Sequence, residues 1–140
     1  MLSLKDISYK TRTGLLILDN INLEIKKGEF VVITGKSGSG KSTLGSVING
    51  LISHNYEGSL TGDAYIGGKE INNLELSQIG KKVGTVFQDP RSQFFMLDPF
   101  NEVAFGLCNM RLNKDEIKQR ATNSLRIFGI EHLKEKSIFK

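Results

Sequence analysis

Gly35-Lys36-Ser37-Gly38-Ser39-Gly40-Lys41-Ser42-Thr43 stands between the apolar run Phe30-Val31-Val32-Ile33-Thr34 and a stretch in which Leu44, Val47, Ile48 and Leu51 recur at helical spacing. The first eight of these residues match the phosphate-loop pattern of Gly, any four residues, Gly, Lys, then Ser or Thr. Glycine accepts φ > 0, so such a loop can turn several backbone N–H groups toward one concavity. The helix that follows adds its unpaired N–H groups and the positive end of its dipole. A triphosphate suits that concavity. Lys41 is then expected to reach the β- and γ-phosphates, Ser42 to offer its hydroxyl to magnesium, and Thr43 to bond an α-phosphate oxygen. The expected ligands of ATP and Mg2+ are thus Gly35, Lys36, Ser37, Gly38, Ser39, Gly40, Lys41, Ser42 and Thr43.

The flanks agree with a strand–loop–helix unit. Phe30–Thr34 is short, apolar and β-branched, the composition of a buried central strand, and Asn49-Gly50 is a natural place for the helix to end. Upstream, Leu2, Leu4, Ile7 and Tyr9, then Leu16, Leu18, Ile21, Leu23 and Ile25, suggest two antiparallel strands joined around Thr11–Gly14. Downstream, the glycines of residues 58–71 suggest short strands with turns, Leu74–Ile79 a single helical turn, and Val83–Phe87 another strand. Asn101–Met110 is expected to be helical, with Val103, Leu107 and Met110 on one side. A further helix is expected to start at Asn113 as cap, with Glu116 three residues on, a stripe of Ile117, Ala121, Leu125 and Phe128, and a stop at Gly129.

Composition excludes little. With 140 residues, 39% hydrophobic and 24% charged, the chain suits one globular domain rather than a disordered or collagen-like chain. Nineteen basic against fifteen acidic residues is a mild excess, and no nucleic-acid partner is inferred from it. Arg111, Lys114, Lys118, Arg120 and Arg126 are interleaved with Asp115 and Glu116, which reads as a solvated helix face. The lone Cys108 among Phe105, Leu107 and Met110 reads as a small buried hydrophobe, and no run approaches the roughly 18 apolar residues of a membrane span.

Taken together, the loop Gly-Lys-Ser-Gly-Ser-Gly-Lys-Ser-Thr, the ribbon ahead of it with Leu18-Asp19-Asn20-Ile21-Asn22-Leu23, and Val86-Phe87-Gln88-Asp89-Pro90 behind it resemble the ATP-binding-cassette ATPases. Gln93-Phe94-Phe95 and Glu102-Val103-Ala104-Phe105-Gly106 resemble, more narrowly, the ATPase subunits of energy-coupling-factor and cobalt-type importers. The resemblance implies an α/β fold: a partial phosphate-loop NTPase core with an N-terminal antiparallel ribbon and the start of a helical subdomain. It implies boundaries at 1–30 for the ribbon, 31–88 for the core through the Q-loop, and 89–140 for the helical start. It also implies adenine stacking on Tyr9, whose plainer role is a strand aromatic. For Gln88 it implies contact with magnesium or the attacking water, and a signal to transmembrane subunits. The expected partners are those subunits and a second cassette ATPase in a homo- or heterodimer, at the cytoplasmic face of the membrane, with a vitamin or metal ion as cargo.

Hydrolysis in that family needs an Asp-Glu pair at a strand end, and neither Asp19, followed by Asn20, nor Asp98, followed by Pro99, supplies it. No Ser-Gly-Gly-Gln-like signature occurs, and His54 and His132 read as surface histidines. The chain is therefore expected to be an N-terminal fragment that binds nucleotide without turning it over. A phosphate-loop small-molecule kinase and a non-transport cassette ATPase remain alternatives; the long ribbon ahead of the loop weighs against the kinase.

Overall fold

A computed structural model describes residues 1–110 and 112–139, in two compact units, Met1–Thr85 and Val86–Lys140. In the first unit, strands β1 (Leu2–Thr11) and β2 (Leu16–Ile25) form the antiparallel ribbon, and β3 (Gly58–Ile66) and β4 (Lys69–Glu70) extend it in the order β2-β1-β3-β4. All three pairings are antiparallel. Register shifts in the β1–β2 ladder include one between Leu4 and Ile7, where Asp6 adopts positive φ, and one between Ile7 and Tyr9, where Asn20 on the facing strand does. Asn22 stabilises this irregularity by accepting from the Asp6 N–H at 3.0 Å and donating to the Asp6 carboxylate at 3.1 Å.

Helices α1 (Lys41–Ile48) and α2 (Leu51–Asn55) and the short α3 (Leu76–Ile79) belong to the same unit. Leu44 and Val47 of α1, Ile52 of α2 and Ile79 of α3 share one buried cluster with Leu4, Ile7, Tyr9 and Leu18 of the ribbon. The i, i+3 spacing of Leu44 and Val47 is what aims one face of α1 inward. As expected, α1 ends at Asn49, and Gly50 opens α2 at φ 78°.

Two expected strands are not formed. Phe30–Thr34 and Val83–Phe87 lie outside the four-stranded sheet. Phe30 is 92% exposed and Val86 80%. An apolar β-branched run favours a strand only when a neighbouring ladder satisfies its backbone, and among the described residues no strand pairs with either run.

The second unit carries α4 (Pro99–Cys108) and α5 (Lys114–Ile127). Asp98 caps α4 by accepting from the Asn101 N–H at 2.9 Å, and Pro99 occupies the first turn, where its missing N–H costs no bond. Asn113 caps α5 through the Glu116 N–H at 2.9 Å, as its position implies. Ala104, Ala121 and Leu125 are buried, whereas Phe128 and Met110, expected on buried faces, are exposed. Cys108 is exposed rather than buried: it shares the face of Ala104 but is the last residue of α4, where that face runs out of cover. His54, read as a surface histidine, is exposed on α2, with its ring Nδ1 2.9 Å from the Gly50 carbonyl oxygen.

Candidate functional site

Gly40 is the hinge between loop and helix. Its φ of 87° is left-handed, and a Cβ there would meet the Ile17 carbonyl oxygen at 2.9 Å and Leu18 Cδ2 at 3.0 Å. A side chain at this position would therefore be strained twice, by its own backbone and by β2. Gly38, at φ 78°, has open space around it, so its requirement is conformational alone. The close approach at Gly40 sets the loop against the ribbon, and from that point the chain winds into α1, with the Leu44 N–H donating to the Gly40 carbonyl at 2.8 Å.

The geometry leaves an anion-ready end. The amides of Lys41, Ser42 and Thr43 lie in the first helical turn, where no intrahelical carbonyl precedes them, and no side chain caps α1. No acidic residue occupies that turn to oppose an anion. Lys36, Ser37, Gly38, Ser39 and Ser42 are exposed, and Gly40, Lys41 and Thr43 half-buried. The Ser39 N–H donates to the Lys36 carbonyl at 3.2 Å, closing the turn inside the loop. The Lys41 ammonium is folded onto the loop, donating to the carbonyls of Gly35 at 2.9 Å and Lys36 at 2.7 Å and to the Ser39 hydroxyl at 3.3 Å. The structure thus gathers Gly35 through Thr43 into one feature. An exposed Ser42 hydroxyl beside it is an oxygen donor of the kind a hard cation takes.

Tyr9 is placed otherwise than the resemblance implied. Its ring is 5% exposed, packed in the ribbon core, and its hydroxyl donates to the Glu57 carbonyl at 3.2 Å. It has the role of a strand aromatic here, because burial leaves no open ring face for a base. Gln88 belongs to the second unit, where it is exposed at a bend ahead of a short 3-10 turn, Pro90–Gln93.

The structure assigns physical roles to the residues around Gln88 that sequence reasoning had only as resemblance. Gln93 accepts from the Phe87 N–H at 3.0 Å, next to Gln88. Asp89 accepts from the Arg91 N–H at 3.1 Å. One carboxylate oxygen of Glu102 accepts from both the Phe95 and Met96 amides, at 3.0 and 2.8 Å, while the Phe95 and Phe105 rings stack with centroids 5.5 Å apart. Gln93-Phe94-Phe95 and Glu102–Gly106 are therefore one folded piece. Only pairing in space reveals this; in sequence the two stretches shared nothing but a resemblance to the same importers.

Of the two aspartates set aside in the sequence, Asp98 is committed to the α4 cap. The Asn101 N–H, and after it the Asn101 side-chain amide, hold its carboxyl below the ordinary value of 3.8. Asp19 lies exposed within β2. Among the described residues no three His, Cys, Asp or Glu side chains gather as a metal site. Lys114, Lys118, Arg120 and Arg126 are exposed; Arg126 forms a two-point pair with Glu131 at 2.9 and 3.1 Å, and Arg120 lies 3.6 Å from Glu116. That is a solvated, internally paired face; Arg111 of the same set is outside the described residues. Among the described residues no helix is long and apolar enough to cross a membrane.

Comparison with known proteins agrees with this geometry. Residues 18–140 match the family described as ABC transporter. An ABC transporter ATP-binding protein of Saccharolobus solfataricus is 44% identical over 116 residues, 83% of this chain and 22% of that protein. Another from Treponema denticola is 40% identical over 141 residues, all of this chain and 29% of its own length. Among solved structures, cbiO1 of Clostridium perfringens, part of the ABC transporter complex cbiONQ, superimposes with a TM-score of 0.81 at 37% identity, covering 97% of this chain and 53% of that one. A dimeric ATP-binding cassette in a post-hydrolysis state with ADP and Pi gives 0.76 at 29% identity, covering 99% and 62%. The chain spans about a quarter of the length of the curated relatives it matches. Its fold is that of the phosphate-loop ABC ATPases, and the chain belongs to the ABC transporter family.

Proposed function

We propose that these residues form the nucleotide-binding front part of an ABC importer ATPase, and that the 140-residue chain binds ATP at Gly35–Thr43 without turning it over. One observation carries the reading: a glycine loop with left-handed turns at Gly38 and Gly40 feeds an uncapped helix N-terminus lined by Lys41, Ser42 and Thr43. Backbone amides of the loop and first turn hold the phosphate oxygens. Lys41 adds a charge-assisted bond to the β- and γ-phosphates, Ser42 offers its hydroxyl to magnesium, and Thr43 meets an α-phosphate oxygen. Magnesium, when bound, neutralises charge on the phosphates.

Gln88 reports that occupancy to a membrane partner, its amide being able to donate and accept. Tyr9 supports the ribbon beside the loop; stacking on adenine would require its ring to leave the core. In the whole protein, a head-to-tail pair of such ATPases at the cytoplasmic face drives transport of a small solute, a vitamin or metal ion. The likeness to cbiO1, part of an ABC transporter complex, supports the reading as a transporter ATPase. Turnover is assigned to the whole protein, since Asp98 is a helix cap here and, among the described residues, no Asp-Glu pair ends a strand.

Isothermal titration of the chain with magnesium-ATP tests this. Saturable binding is expected, weakened at least about tenfold by Lys41→Ala, the scale of a lost bond to a charged donor. No binding by the unaltered chain, or equal binding by the variant, overturns the assignment.

A further inference from the structure

We propose that Asn49 is a covalent modification site held latent by the fold: its side-chain amide is lost to attack by the backbone nitrogen of Gly50 when the α1–α2 junction opens, and is kept while the junction is closed. Asn49-Gly50 is the sole Asn-Gly step of the sequence, and glycine brings no Cβ to hinder its own nitrogen as an attacking group. In the reaction that nitrogen gives its proton to solvent base and bonds to Asn49 Cγ, the Cγ–Nδ2 bond breaks, and the amide leaves as ammonia, taking a proton from solvent. Water then opens the cyclic imide at either carbonyl. One opening leaves aspartate; the other leaves isoaspartate, whose main chain runs through Cβ and Cγ.

The closed junction opposes each part of that attack. Asn49 ends α1 at ψ 4°, where the Gly50 nitrogen eclipses the Asn49 nitrogen, whereas ring closure needs it to eclipse Cβ. The Gly50 N–H is donated to the Val47 carbonyl at 3.1 Å, so the nucleophile is engaged. The Asn49 side chain is held at both ends, its Oδ1 accepting from the Leu51 N–H at 3.1 Å and its Nδ2 donating to the Thr85 hydroxyl at 3.4 Å. Gly50 itself is buried at φ 78°, and an added Cβ would collide with Ile79 Cδ1 and touch Leu76 and Ile71, so the rotation about ψ has no room. The junction must part from α3 before the ring closes. Isoaspartate, with its lengthened main chain, would then have to fit where even a Cβ does not, so the opening is recorded permanently.

The modification takes nothing from nucleotide binding, and its test reads the chemistry alone. The chain is incubated at mildly alkaline pH, folded and in denaturing guanidinium chloride; amide-to-acid conversion is mapped by peptide mass spectrometry, and isoaspartate is counted by enzymatic methylation. Unfolded, Asn49 is expected to convert first among the asparagines; folded, it is expected to convert at least about tenfold more slowly, since only open molecules react. Ile79→Ala, which strips the cover from Gly50, should speed conversion in the folded chain, and Asn49→Gln should silence that peptide. Equal rates in folded and unfolded chain overturn the proposal, as do an unaltered rate in folded Ile79→Ala and conversion that falls first on Asn123-Ser124, where Asn123 is exposed on α5. Should Ile79→Ala not fold, wild type in rising, sub-denaturing guanidinium chloride decides: conversion is expected to rise in step with exchange of the Gly50 amide. Conversion independent of that exchange overturns the proposal.

Discussion

The two units of this chain are ordered by different means. In Met1–Thr85, Leu4, Ile7, Val47, Ile71 and Ile79 are each no more than 2% exposed, drawn from strands and helices distant in sequence. In Val86–Lys140, Ala104, Ala121 and Leu125 are the buried apolar residues among those described, and Phe95, Leu97, Ile127 and Phe128 stand more than 70% exposed. What orders the second unit is local: Asp98 and Asn113 at helix starts, Glu102 on two successive amides, Gln93 on Phe87. The glycine loop sits on the first kind of support and Gln88 on the second. If Gly35–Thr43 and Gln88 act as proposed, the nucleotide meets the more firmly packed element and the sensor the more locally held one, a division of labour that suits a relay.

The largest expected effect is in the first unit. Tyr9→Ala removes a buried ring and is expected to lower the unfolding free energy of Met1–Thr85 by about 3–5 kcal/mol. Tyr9→Phe, which loses only the hydroxyl bond to Glu57, should cost about 1 kcal/mol. Urea denaturation followed by β1 amide exchange reads both. If Tyr9→Ala leaves stability intact and weakens ATP binding instead, the ring serves adenine and the core assignment fails.

Leu125→Ala, in the second unit, removes a side chain equally buried but beside a cavity of about 490 Å³ that Phe94, Val103, Leu133 and Ile138 also line. Neighbours with free space can relax into the gap, so the loss should fall near the low end for such substitutions, about 2 kcal/mol. Exchange of α5 amides in urea measures it. A loss matching Tyr9→Ala would show that the second unit has a core as exacting as the first.

The same contrast explains what was legible in the sequence. The turn from the glycine loop into α1 was readable because it answers local demands: a left-handed φ at Gly38 and Gly40 and a helix start at Lys41. The Asn113–Gly129 helix was readable for the same reason, since its cap and its stop at Gly129, φ 70°, are local. Phe30–Thr34 and Val83–Phe87 failed because composition announces a strand while only a partner ladder makes one. The burial of Tyr9 was not legible for a related reason: distance ahead of the loop says nothing of which way a ring faces. The tie between Glu102 and the Phe95 and Met96 amides was invisible because it joins two motifs through a fold.

The smallest expected effect probes the local order of the second unit directly. Asp98 accepts from the Asn101 N–H and side-chain amide at 2.9 and 2.7 Å, and these bonds depress its folded pKa below 3.8. A depressed carboxylate stabilises the fold above its unfolded pKa, and that contribution is lost as pH falls through the lower, folded value. The start of α4 should therefore stay protected at 3.8 and fray only below it. Followed by NMR as pH is lowered from neutrality, the Asn101 amide resonance should titrate with a midpoint under 3.8. Asp98→Asn, which keeps an acceptor oxygen and loses the charge, should abolish that titration. Glu131, lowered by its hydrogen bond from Arg126, titrates in the same direction, so persistence of the step in Asp98→Asn would move its cause to that pair. A midpoint at or above 3.8 would mean that the cap is not charged and bonded as drawn, and that α4 is held by Ala104 and its packing instead.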